Sequence, residues 1–159
     1  MPDMSTVSRV EARIADLGLE LPGIAKPVAS YVPAVTSGNL VFTSGQLPFI
    51  DGELPETGKV GGTVSAASAN DLARTCVLNA LAAVKGVIGS LDRITRVVKV
   101  VGFVASAPSF TGQPGVINGA SDLLGEIFGE AGIHARSAVG IAVLPLDSPV
   151  EVEFIFEFA

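Results

Sequence analysis

The stretch Val150-Glu151-Val152-Glu153-Phe154-Ile155-Phe156-Glu157-Phe158 decides the fold. Side chains of a β-strand alternate between two faces, so Val150, Val152, Phe154, Phe156 and Phe158 share one, and Glu151, Glu153, Ile155 and Glu157 share the other. The first face belongs against a hydrophobic core. The second is acidic, and in a strand inside a sheet its carboxylates require water, a cationic partner or a neighbouring subunit.

Working outward, Ala135 to Leu144 read as the preceding strand, joined to the last one by Pro145-Leu146-Asp147-Ser148-Pro149, which is turn chemistry. Before it, Val116, Ile117, Ala120, Leu123, Leu124, Ile127 and Phe128 recur with helical period, after a loop at Ala107 to Gly115, and Gly132 ends that helix. Ile94 to Val104 is rich in β-branched residues, and Val97, Val98, Val100, Val101, Phe103 and Val104 predict a strand buried on both faces. Thr63 to Gly89 suits a long helix with Leu72, Cys76, Ala80, Ala83, Val84 and Val87 on one face. Tyr31 to Val35 and Leu40 to Thr43 flank Thr36-Ser37-Gly38-Asn39 and predict a hairpin. The Gly- and Pro-rich Asp51 to Gly62 predicts a flexible loop able to line a pocket.

At the N-terminus, Ser5 or Thr6 caps a helix carrying Val7, Val10, Ile14 and Leu17, which Gly18 ends; Leu21 to Val28 is a connector. The order ββ, α, β, α, ββ predicts an α+β fold, a mixed sheet with two helices packed on one face. The other sheet face then needs a partner, and three copies around an axis would supply one.

Composition sets limits on function. A chain of 159 residues predicts a single domain spanning 1–159, with 1–25 as a helical extension and connector. A hydrophobic fraction of 48% and a mean hydropathy of +0.55 exceed what a small monomer needs, so part of the apolar surface is expected between subunits. No apolar run approaches the roughly 18 residues of a membrane span: Leu78 to Leu91 is broken by Asn79, Lys85 and two glycines. Asp3, Arg9, Glu11 and Arg13 leave no signal-peptide core, which predicts a cytoplasmic location. A net charge of -6 repels polyphosphate, so nucleic acid is disfavoured as a partner. One cysteine and one histidine without clustered spacing imply no metal site, and Cys76 reads as a small core residue.

Two motifs carry a family resemblance. Ser30-Tyr31-Val32 and Ser37-Gly38-Asn39-Leu40-Val41-Phe42-Thr43-Ser44-Gly45-Gln46-Leu47-Pro48 form one; Ala135-Arg136-Ser137-Ala138-Val139, Leu144-Pro145 and Val150-Glu151-Val152-Glu153 form the other. They resemble the reactive intermediate deaminase (Rid, YjgF-like) family, long labelled endoribonuclease L-PSP, from about Lys26 onward. The resemblance implies a chorismate-mutase-like homotrimer with sites between subunits and no cofactor. It implies hydrolysis of small 2-imino acids or enamines to 2-keto acids and ammonia. Arg136 would hold the substrate carboxylate and Glu151 would orient the attacking water or move a proton. Tyr31 and Ser44 would complete the pocket, and Asn118 matches a family asparagine with a positioning or structural role.

The chemistry is consistent, because a permanently charged guanidinium presents parallel donors to a planar carboxylate, and a carboxylate beside a held water can act as general base. Each assignment has a structural alternative: a salt bridge from Arg136 to Glu151 or Glu153, packing or turn stabilisation by Tyr31 and Ser44, and a backbone-bonded strand start for His134, which shares a strand face with Arg136. The sequence also departs from the short deaminases. Ser30 replaces a proline, a helical tyrosine is replaced near Ser121, Thr111-Gly112-Gln113-Pro114 is inserted, and Gly140 stands where many have a glutamate. A non-catalytic carboxylate-binding trimer is the second reading; an endoribonuclease is the third, opposed by the acidic balance.

Overall fold

The last strand is the middle one. In the computed structural model, which describes residues 7–24 and 30–159, β5 (Val150–Phe158) lies between β2 (Leu40–Thr43) and β3 (Ile94–Ala105). The sheet is completed by β1 (Ala34–Ser37) beyond β2 and β4 (Ala135–Ile141) beyond β3, in the order β1-β2-β5-β3-β4. Only the β3–β4 pair is parallel, which makes the sheet mixed as expected. The helices α2 (Ala66–Ile88) and α3 (Gln113–Phe128) supply the second layer.

The alternation in β5 is obeyed throughout: Val150, Val152, Phe154 and Phe156 are buried, and Phe154 stacks on Phe156 at a centroid distance of 5.8 Å. Their cross-strand neighbours Val41, Val97, Val100 and Val104 complete the helix-covered face. Two glycines let the layers close. A Cβ at Gly102 of β3 would stand 2.4 Å from Ile117 Cδ1, and one at Gly119 of α3 would stand 2.0 Å from the Asn70 carbonyl oxygen of α2.

The expectation that β3 is buried on both faces is corrected. Val101 and Phe103 are only half-buried, because among the described residues nothing covers the face they share with Glu151 and Glu153. The same face exposes Val35, Phe42 and Val139. The hairpin is also shifted: β1 begins at Ala34, and Tyr31 and Val32 precede the ladder. The loop of residues 51–62 is less free than its glycines suggest. Val60 is buried and its backbone bonds Ala105 and Ala107, while Gly58 donates to the Asp147 carbonyl and Lys59 pairs with Asp147.

The N-terminal helix α1 (Arg9–Asp16) is capped by Ser8; Ser5 and Thr6 lie outside the described residues, as does part of the connector. Val7 is exposed, Ile14 enters the core, and Gly18 has the positive φ of +75° that ends such a helix. Asp92 anchors α1 by accepting from the Ser8 hydroxyl and from the amides of Arg9 and Val10. Burial pushes its carboxyl up, but the Val10 and Arg9 amides and the Ser8 hydroxyl outweigh this and hold it below the ordinary value. Asp92→Ala is expected to lower stability by about 1–2 kcal/mol, as loss of a helix cap does, measured by thermal unfolding at pH 7. A lowered carboxyl pKa contributes stability above its unfolded value and loses it as pH falls, so the gap between the two proteins narrows in acid.

Candidate functional site

Arg136 sits on the edge strand β4, and register decides where it points. It pairs with Val100 of β3, which pairs with the buried Phe154 of β5, so Arg136 lies on the helix side of the sheet. There α3 receives it. Arg136 Nη1 donates to Ser121 Oγ at 3.0 Å and Nη2 to the Pro114 carbonyl at 3.1 Å. Pro114, Asn118 and Ser121 follow one another at helical spacing along a single stripe of α3, which places Asn118, itself exposed, between the two anchors. His134 joins them: its Nδ1 is 2.6 Å from the Gly132 carbonyl and its Nε2 is 2.9 Å from Ser121 Oγ. The histidine is therefore backbone-bonded at the strand start and also linked to Arg136 through Ser121.

No Asp or Glu lies within salt-bridge distance of Arg136 among the described residues. The alternative of an ion pair with Glu151 or Glu153 is thus not what this chain forms. The reason is topological: Glu151 pairs with Phe103, which pairs with Val139, so both glutamates occupy the open face, opposite to Arg136.

Glu151 is half-buried, and that burial, followed by the charge of Glu153, pushes its carboxyl above the ordinary value. Room for it is made by Gly45, where a Cβ would stand 2.5 Å from Glu151 Oε1. Ser44, next to that glycine, donates from its hydroxyl to the Val32 carbonyl at 2.6 Å and from its amide to the Pro33 carbonyl at 2.9 Å. Ser44 thereby holds the segment carrying Tyr31, whose side chain is 57% exposed. From β2 to β4 the sheet crosses β5 and β3, a separation of roughly 14 Å at ordinary strand spacing. One chain therefore presents two separate groups: Tyr31, Ser44 and Glu151 at one side, and Arg136, Asn118, Ser121 and His134 at the other.

Glu151→Gln follows from that environment. A carboxyl whose folded pKa is raised contributes stability below its unfolded pKa and loses it as pH rises through the folded value. The amide carries no such cost, so Glu151→Gln is expected to melt higher than the unsubstituted protein at pH 7. The difference should vanish below about pH 4, where both carry a neutral group. Thermal unfolding across that range checks it; an equal or lower midpoint at pH 7 contradicts the assigned environment.

Gly140 lies against Gln113 and Ser106. A Cβ at Gly140 would meet Gln113 Nε2 at 2.7 Å and Ser106 Oγ at 3.0 Å. Gln113, the first residue of α3, fills the space beside Gly140 and donates to Ser106 Oγ and the Phe110 carbonyl. Cys76 is buried, and burial followed by the charge of Glu151 pushes its thiol far up, so it stays a core residue. Among the described residues no group of three metal-ligating side chains occurs. A cleft of about 500 Å³ between the loop at Leu47 and Phe49 and the helix at Asn79 and Ala83 involves none of the expected site residues.

The sheet order and the two helices on one face agree with a single family match. Residues 11–158 match the family described as "YjgF/chorismate_mutase-like, putative endoribonuclease". The chain belongs to the YjgF family. It is similar to protein TCP17 of Trypanosoma cruzi, with 45% identity over 157 residues, 97% of this chain and 98% of that protein. The solved structure of Atu1372 from Agrobacterium tumefaciens shares 47% identity and a TM-score of 0.89, covering 95% of this chain and 93% of that one. A more distant YjgF relative, TdcF of E. coli, solved with bound serine, shares 26% identity with a TM-score of 0.57, over 87% of this chain and 93% of TdcF. Among the described residues no helix is long and apolar enough to cross a membrane.

Proposed function

We propose that the protein hydrolyses small 2-imino acids, or their enamine tautomers, to 2-keto acids and ammonia, in a cleft between copies of a homotrimer. The observation that carries this reading is the unpaired guanidinium: Arg136 has two neutral acceptors and no carboxylate partner among the described residues. A formal charge held at an accessible edge strand, with donors to spare, suits a carboxylate that arrives from outside. The serine bound to TdcF is a small carboxylate-bearing molecule of the same class.

The two groups of residues on one chain explain why a shared cleft is invoked. Packing of the open sheet face of one copy against the β4 edge of another would bring Glu151, Ser44 and Tyr31 of the first toward Arg136 and Asn118 of the second, and would cover Val35 and Phe42. There Arg136 clamps the carboxylate and holds the C=N carbon still. Glu151, with its raised carboxyl, accepts a proton from water as the oxygen attacks that carbon and passes it to the nitrogen, which receives the C=N electron pair; it then moves the proton of the carbinolamine hydroxyl to that nitrogen, which leaves as ammonia as the C–N bond breaks and the carbonyl forms. This reading includes a single domain, the segment 1–25 as an appended helix and connector, and action in the cytoplasm.

An amino-acid oxidase supplies the imino acid, semicarbazide traps what remains, and the protein should reduce the trapped fraction in proportion to its concentration. No reduction with imino acids of any side-chain size ends the proposal. The filling of the space beside Gly140 by Gln113 favours a second reading, a trimer that binds 2-keto acids without turnover. Under it, keto acids raise the unfolding midpoint while trapping stays unchanged.

A further inference from the structure

The hydrogen bonds around Arg136 have a direction. The His134 Nδ1 contact to the Gly132 carbonyl can only be an N–H donation, since a carbonyl oxygen accepts. A neutral imidazole protonated at Nδ1 leaves Nε2 as an acceptor, so the Ser121 hydroxyl donates its hydrogen to Nε2. The Ser121 oxygen is thereby turned to accept from Arg136 Nη1. The chain Arg136 to Ser121 to His134 to Gly132 has each donor and acceptor used in one sense, and the Pro114 carbonyl fixes the second Nη.

We infer that Ser121 and His134 are positioning residues that preset the Arg136 guanidinium as a carboxylate clamp. This rests on the proposed carboxylate-binding reading and adds to it the residues that hold the clamp in place. The guanidinium has five N–H donors, and two are used here. The remaining three, one on each Nη and one on Nε, keep both end-on and side-on approaches open to a planar anion. A long side chain at an edge strand otherwise has rotamer freedom that binding would have to freeze. Ser121 and Pro114 freeze it beforehand, and His134 keeps Ser121 from rotating its hydroxyl hydrogen toward the arginine. Among the described residues His134 is the side chain that pairs with Ser121 besides Arg136.

The test uses the full-length protein and two readouts. The sole histidine gives one imidazole spectrum, and nitrogen-detected NMR above neutral pH should show the Nδ1–H tautomer, with the Nε2 resonance displaced in Ser121→Ala and recovered in Ser121→Thr. Pyruvate affinity, by calorimetric titration, should fall about tenfold in Ser121→Ala and return to within about threefold of the original in Ser121→Thr. An Nε2–H tautomer, or an Nε2 resonance unmoved by Ser121→Ala, overturns the inference, as does unchanged pyruvate affinity in Ser121→Ala. If the unsubstituted protein takes up no keto acid while the histidine signals behave as stated, the carboxylate-binding reading fails and the hydrogen-bond relay stands.

Discussion

Arg136→Ala is expected to lower kcat/KM for 2-imino acids by two to three orders of magnitude while leaving the unfolding midpoint within about 2 °C. The size follows from what a bidentate clamp contributes. A hydrogen bond to a charged group is worth about 1.5–3 kcal/mol, and losing two parallel ones costs roughly 3–4 kcal/mol, at about 1.4 kcal/mol per factor of ten. The small effect on stability follows from the position of Arg136. It lies at a sheet edge, partly buried, bonded to one hydroxyl and one solvent-exposed carbonyl, with no ion pair to break among the described residues. Arg136→Lys keeps the charge and loses the fork, so it should fall between the two. Steady-state trapping kinetics beside differential scanning fluorimetry checks both halves. Activity within threefold of the original would mean the carboxylate is held elsewhere; a large drop in midpoint would mean Arg136 is structural.

Phe154→Ala is the change expected to damage the fold most, by about 3–5 kcal/mol. Phe154 is 1% exposed at the centre of the middle strand, stacked on Phe156 and flanked across the ladder by Val100. Truncation leaves a cavity that cannot collapse easily. The strand is held on both sides by ladder bonds, and the Phe154 amide is further tied to Thr43 Oγ1 at 3.0 Å. For a chain of this length the loss corresponds to roughly 6–20 °C in unfolding midpoint. Phe42→Ala is the contrast: Phe42 lies on the uncovered face, 37% exposed, so its truncation should leave the core intact and weaken association of copies. A midpoint for Phe154→Ala within 3 °C of the original would contradict the core assigned here; sedimentation of Phe42→Ala at falling concentration reports the second effect.

Much of this architecture could be read from local pattern. The alternation in 150–158 predicted β5 to the residue, the helical spacing from Val116 to Phe128 predicted the body of α3, and the element order predicted a mixed sheet with helices on one face. Misjudgements fell where local pattern is silent about neighbours. The run of valines in β3 resembles a strand covered twice, but burial on the second face requires another chain to lie there. The glycines of 51–62 suggested mobility, yet Val60 carries that loop into the core. That Gln113 fills the space beside Gly140 is likewise invisible in local pattern, because the two are far apart along the chain.

The candidate residues divide along the same line. Arg136 and Glu151 are marked by their motifs, and alternation placed His134 on the side of Arg136, where both side chains meet Ser121. Their facing relative to each other was not legible, because alternation fixes a side chain's side only within its own strand. Between strands the side is set by register, and a slip of one residue would reverse it. The parallel pairing of Arg136 with Val100 and the antiparallel pairing of Phe103 with Glu151 put cation and carboxylate on opposite faces. Strands, helices and their order follow from interactions between residues close along the chain; the guanidinium without a carboxylate partner among the described residues and the division of the candidate residues into two groups follow from pairings between segments far apart in it.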